Sequence, residues 1–129
     1  MQRRPDSATA GFTLIELLVV LAIVSLLLTL AVPRYFQSID TAKEIILAEN
    51  LRTTRETIDK FYGDTGRYPE SLDELVEKKY LRALPLDPVT DSAATWIIVA
   101  PDPTAKGSIY DIRSGAEGKA RNGKPYTEL

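Results

Sequence analysis

Residues 12–32 form a run of 21 residues in which only Thr13, Glu16, Ser25 and Thr29 are not apolar. A helix of that length is roughly 31 Å long, and the hydrocarbon core of a bilayer is about 30 Å thick. The run therefore predicts a single membrane-spanning helix. Soluble core helices are rarely so uniformly apolar, so the rest of the fold has to be built around this segment.

Glu16 is the exception within the run. A charge at the centre of a membrane helix costs about 2.5–3.5 kcal/mol on insertion scales, and charges retained there are usually functional. Glu16 lies in the second turn, where the cost is lower. Three readings stand. The carboxylate snorkels to the interface, it answers a cation of its own chain, or it answers a cation on a neighbouring chain. The third is preferred. A cation becomes available at this depth only if the chain is cut just before Phe12, which creates a new amine at the start of the span.

Composition excludes several functions. The chain has 129 residues, enough for one span and one small domain. Sixteen basic residues face eighteen acidic ones, a net charge of −2, which is no footprint for nucleic acid. Cysteine and histidine are absent. The chain thus has no disulfide, no thiol nucleophile, no thiolate ligand and no imidazole base. Any bound metal would have to be a hard cation on oxygen ligands. No enzymatic function is expected.

The short polar segment before the span carries Arg3 and Arg4 and reads as a cytoplasmic leader. By the positive-inside rule it stays in the cytoplasm while the C-terminal part crosses. An ordinary secretory signal has a shorter apolar region followed by a small-residue site, and Leu30-Ala31-Val32-Pro33 is a poor one.

Pro33 marks a predicted helix break or kink. Beyond it the apolar residues Tyr35, Phe36, Ile39, Ala42, Ile46, Leu47, Leu51, Ile58, Phe61 and Tyr62 recur at spacings of three and four, with charges between them. This pattern predicts an amphipathic helix over residues 34–62. The simplest arrangement is one helix of about 50 residues, bent or loosened near Pro33, spanning the membrane with its first half and packing on a domain with its second. Gly63-Asp64-Thr65-Gly66 ends it. Asp64-Thr65-Gly66 spells the aspartic protease triplet, but that chemistry needs two such carboxylates and the chain has one copy.

Ser71 and Glu74 make a capping box for a short second helix with Leu72, Leu75 and Val76 on its buried face, ending near Lys79. Leu81, Leu84 and Leu86 anchor the segment that Pro85 and Pro88 keep extended. Residues 95–99 and 108–113 read as an antiparallel strand pair, and Tyr126-Thr127 as a short third strand. Trp96 and the tyrosines read as core rather than as ligand platforms. Residues 63–129 are too few for an independent core unless the amphipathic helix supplies the other half.

The stretch Gly11-Phe12-Thr13-Leu14-Ile15-Glu16, followed by the apolar run, closely resembles the class III signal of the type IV pilin and type II secretion pseudopilin superfamily. Lys or Arg often precedes the glycine in that family; here Ala8-Thr9-Ala10 does. Arg67-Tyr68-Pro69 before a capped short helix resembles the G-type pseudopilins in particular. The resemblance implies an α+β, pilin-like fold. A long N-terminal spine helix, half membrane and half amphipathic, packs on a small antiparallel sheet with one extra short helix. It also implies a leader at residues 1–11, an assembly helix at 12–32 and a periplasmic domain at 33–129, made of the amphipathic helix 34–62 and a small α/β region 63–129. A prepilin peptidase would cut between Gly11 and Phe12, the new amine of Phe12 would be methylated, and Glu16 would pair with the amine of an adjacent subunit. Losing Arg3, Arg4 and Asp6 with the leader takes the net charge from −2 to −3.

The implied function is that of a structural subunit of a type II secretion pseudopilus, anchored by a single pass in a bacterial inner membrane and drawn into a periplasmic filament for protein export. The implied partners are further copies of itself, minor pseudopilins, the prepilin peptidase, the inner-membrane secretion platform and the membrane, with no nucleic acid as a primary partner. A type IV pilus subunit for adhesion, motility or DNA uptake is the alternative. G-type pseudopilins bind calcium in C-terminal loops, which makes Asp111 and Glu117 candidate ligands. Here Lys119, Arg121 and Lys124 fill the loop where the family has acidic residues. Without an ion, Arg113, Lys119 or Arg121 is expected to bridge Asp111 or Glu117.

Overall fold

The structure, a computed structural model, describes residues 11–129. The leader expected over residues 1–11 lies outside the described residues except for Gly11. The architecture is α+β. Helix α1 (Leu14–Thr65) is followed by helix α2 (Leu72–Glu77), strands β1 (Ile97–Val99) and β2 (Asp111–Arg113), and a 3-10 turn (Tyr126–Glu128). The chain divides into two compact units, with the boundary between Ile39 and Asp40 inside α1.

In the first unit α1 is the single described helix long and apolar enough to cross a membrane. It does not break at Pro33, which sits inside the helix. The single helix through Pro33 is the expected arrangement of one helix of about 50 residues, and it corrects the alternative of a break there. A proline withholds one amide and deprives one carbonyl, four residues back, of its usual partner. The helical path continues on both sides despite that loss.

In the second unit one face of α1 carries Leu47, Leu51, Thr54, Ile58 and Phe61, all buried. They recur at spacings of three and four, as a single helical stripe must. The stripe is narrower than the sequence suggested. Tyr35, Phe36, Ile46 and Tyr62 lie outside it and are exposed. Around the stripe gather Leu75, Trp96, Ile109 and Ile112, with Tyr68, Leu72, Tyr80, Leu81, Val89, Tyr126 and Leu129 packed against them. Leu81 anchors its segment as expected, whereas Leu84 and Leu86 are exposed. Trp96 is core, and its indole donates to the Pro85 carbonyl at 2.8 Å.

Gly66, at φ +75°, ends α1, and its amide donates to the Tyr62 carbonyl at 2.8 Å. Its lack of a side chain suits that left-handed position. Gly63, expected to begin the stop, is still helical. Ser71 caps α2 by accepting from the Glu74 amide at 3.1 Å, while the Glu74 carboxylate accepts from the Glu70 amide. The capping box is therefore present, shifted by one residue on its return bond.

β1 and β2 pair antiparallel, Ile97 with Arg113, Ile98 with Ile112 and Val99 with Asp111. The pair is shorter than the β-rich sequence runs. Tyr126-Thr127 adds no third strand; it forms the 3-10 turn, and nearby only Lys119 and Pro125 make an isolated bridge. Pro125 cannot donate to a ladder, which limits pairing there.

Candidate functional site

The N-terminal candidate residues lie on exposed backbone at the start of α1. Gly11 and Phe12 precede the helix, and Phe12 is 78% exposed. A Cβ added to Gly11 would meet no atom within 4 Å, so packing within the described chain does not call for a glycine there. Thr13 caps the helix. Its Oγ1 accepts from the Glu16 amide at 3.1 Å, and its carbonyl accepts from Leu17. Thr13-x-x-Glu16 is thus a second capping-box pattern in the sequence.

Glu16 satisfies the N-terminal turn through its backbone alone. Among the described residues no cation pairs with its carboxylate. Phe12, Ile15, Val19 and Val20 surround it in a shallow apolar depression. An acidic group near the positive end of a helix dipole is favoured by its position. In an apolar environment it still needs a counter-charge. The chain thus presents a carboxylate framed by aliphatic and aromatic side chains, a pattern suited to receiving a cation from elsewhere.

The C-terminal candidates are not brought together. Among the described residues no group of three acidic side chains could hold a metal ion. Asp111 Oδ1 accepts from Arg55 Nε at 2.7 Å and from the Ile112 amide at 2.7 Å. Glu117 is exposed. The expected bridging cations, Arg113, Lys119 and Arg121, do not fill the role. Arg121 turns instead to α1, where its guanidinium meets the Thr41 hydroxyl and its amide donates to Glu44 Oε1 at 2.7 Å. The cation on Asp111 comes from the spine helix, 56 residues away in sequence. Spacing along the chain gave no sign of it, because the contact exists only once α1 lies beside β2.

A second acidic residue the sequence left undistinguished is Asp87, which is fully buried. Its Oδ1 accepts from the Val89 amide at 2.9 Å and its Oδ2 from the Ser114 hydroxyl at 2.5 Å. Ser114 Oγ accepts in turn from the Ala116 amide. The carboxylate closes one turn and ties it to the segment after β2. Asp-Pro at residues 87–88 was the available signal.

Perturbed acidities are structural in origin. Glu74 is lowered to about 2, first by its hydrogen bonds from Arg67. Glu49 is lowered chiefly by Arg52, and Asp102 by the Thr104 amide. Tyr80 is raised by its hydrogen bond to Asp64, and Tyr68 by burial. The lowered carboxylates are each held ionised by a local donor.

Residues 6–32 match the family model described as the prokaryotic N-terminal methylation motif. The chain is 31% identical to the type II secretion system core protein G of Pseudomonas aeruginosa, over 92% of this chain and 89% of that protein. It is 31% identical to the protein of the same name from Aeromonas hydrophila, over 93% and 90%. It is also 29% identical to the competence protein ComGC of Halalkalibacterium halodurans, over 61% of this chain and 78% of that one. No solved structure gives a significant match. With a processing-type N-terminus, an apolar helix carrying one uncompensated acid, and similarity along nearly its whole length, the chain belongs to the family of the type II secretion system core protein G, within the wider pilin superfamily.

Proposed function

We propose that the protein is a structural, non-enzymatic subunit of a type II secretion pseudopilus. A prepilin peptidase cuts between Gly11 and Phe12, and the amine of Phe12 is methylated and stays cationic. The apolar half of α1 holds the subunit in the inner membrane by a single pass, with the folded domain in the periplasm. The apolar helices then leave the bilayer and bundle with one another. Such contacts are heterologous and do not close, so they generate a fibre. Minor pseudopilins and the inner-membrane secretion platform are the further partners of that assembly.

The observation that carries this reading is Glu16, a carboxylate in an apolar frame with no counter-ion among the described residues. Neutralised by the Phe12 amine of the adjacent copy, it fixes one axial stagger, because every other stagger buries it unpaired. The similarity to a competence protein favours one second reading, a subunit of a type IV pilus-like filament. A long surface filament at native expression would mark that reading; a short periplasmic one marks the pseudopilus.

The test uses two variants. Gly11→Ala should leave the precursor uncut, although nothing in the fold opposes the added methyl. Glu16→Ala should be cut and yet fail to assemble. Normal processing of the first or normal filaments from the second would contradict the proposal.

A further inference from the structure

The calcium implied by the resemblance meets a poor fit in this chain. Calcium takes six to eight oxygens, several of them from carboxylates. The described acidic residues form no such group. Asp111 Oδ1 already receives two donors. Lys119, Arg121 and Lys124 crowd the following loop with like charge, and all three are exposed.

The oxygens of this region nevertheless converge on a cation. Arg55, on the same helix as the core stripe, donates from Nε to Asp111 Oδ1 at 2.7 Å. Its Nη2 donates to the Ile112 carbonyl at 3.0 Å and to the Leu129 carbonyl at 2.7 Å. One guanidinium thus gathers a carboxylate and two backbone carbonyls from two separate segments. The pair is only partly exposed, 35% for the Arg55 side chain and 25% for Asp111. A planar fork of fixed donors suits several acceptors at once, as a single ammonium does not.

We propose that Arg55 is the resident cation of the C-terminal lobe, latching residues 111–129 to the spine helix so that the lobe holds together without a divalent metal. The arrangement is anchored twice. Arg55 secures β2 and Leu129, and between them the loop is secured by Arg121 on Thr41 and Glu44. Removing the guanidinium leaves the Ile112 and Leu129 carbonyls and the Asp111 carboxylate each short of a donor. Calcium cannot substitute by simple addition, because the remaining carboxylates are too few.

The test uses the full chain in detergent, with its single tryptophan as the probe, since Trp96 is buried in the same core cluster as Ile112. Thermal unfolding is followed in excess EDTA and in millimolar calcium. The wild type should melt alike in both, with no heat of calcium binding by calorimetry. Arg55→Met should melt about 4–8 °C lower in both conditions. Arg55→Lys should fall between, keeping the charge without the fork. If Arg55→Met fails to fold, Asp111→Asn serves instead and should also melt lower regardless of calcium. Hydrogen exchange should show residues 119–129 losing protection in these variants before residues 47–61. A calcium-raised melting point or calcium heat in the wild type would overturn the proposal. So would Arg55 and Asp111 variants that melt with the wild type.

Discussion

Arg67 holds Glu74 through two parallel hydrogen bonds, Nη1 to Oε1 at 2.8 Å and Nη2 to Oε2 at 3.0 Å. The same guanidinium lies 5.0 Å from the centre of the Phe61 ring. The pair thereby fastens the capped start of α2 to the last buried turn of α1. Bidentate pairs of this kind are the strong ones among charge-assisted bonds, and only 17% of the Glu74 side chain is exposed.

The first prediction follows from the acidity of Glu74, depressed from 4.5 to about 2 in the folded chain. A carboxyl with a lowered folded pKa stabilises above its unfolded value and loses that contribution as pH falls through the folded one. Melting temperature should therefore drop between about pH 4.5 and pH 2. Glu74→Gln should melt lower at pH 7 and show a shallower drop over that window. An unchanged slope in the variant would count against the pair as the source.

The second concerns Thr54, whose hydroxyl is buried in the core stripe without a hydrogen-bond partner among the described residues. A buried donor left unmade costs about 1–3 kcal/mol. Thr54→Val keeps the shape and removes the hydroxyl. It should raise stability by about 1 kcal/mol, read as a higher urea midpoint at unchanged slope. A loss instead would show that the hydroxyl is satisfied in solution.

The third sets two glycines against each other. Gly107 has φ +106°, and a Cβ there would fall 2.1 Å from the Tyr68 carbonyl oxygen. That close approach accompanies the Tyr68 amide donating to the Lys106 carbonyl at 2.8 Å. Gly107→Ala should cost at least about 2 kcal/mol. Gly63 sits inside α1 with nothing within 4 Å of an added Cβ. Gly63→Ala should stabilise by about 0.5–1 kcal/mol. Chemical denaturation of both variants checks the opposite signs.

Local patterns carried much of this structure. The length of the apolar run located the apolar half of α1, and the three-four spacing of Leu47, Leu51, Ile58 and Phe61 marked its core face. Ser71 with Glu74 marked the start of α2. Non-local effects were less legible. Ile46 belongs to the same periodic pattern as Leu47, yet only the position of the small domain decides that one is buried and the other exposed. Tyr126-Thr127 has strand composition and forms a 3-10 turn, with pairing there limited to the isolated bridge of Lys119 and Pro125. Spacing points to the neighbouring cations as partners of Asp111, whereas its partner is Arg55 on the spine. At the N-terminal site the residue types were fully legible, since their spacing is local. Among the described residues no cation meets Glu16, and the proposal places its partner on an adjacent copy.

The most direct measurement is a reconstruction of the assembled filament at side-chain resolution. The Glu16 carboxylate should lie within about 4 Å, salt-bridge distance, of the methylated Phe12 amine of an adjacent copy. A filament in which Glu16 faces water or pairs with a lysine or arginine, or whose subunits still begin at Met1, would contradict the assembly mechanism.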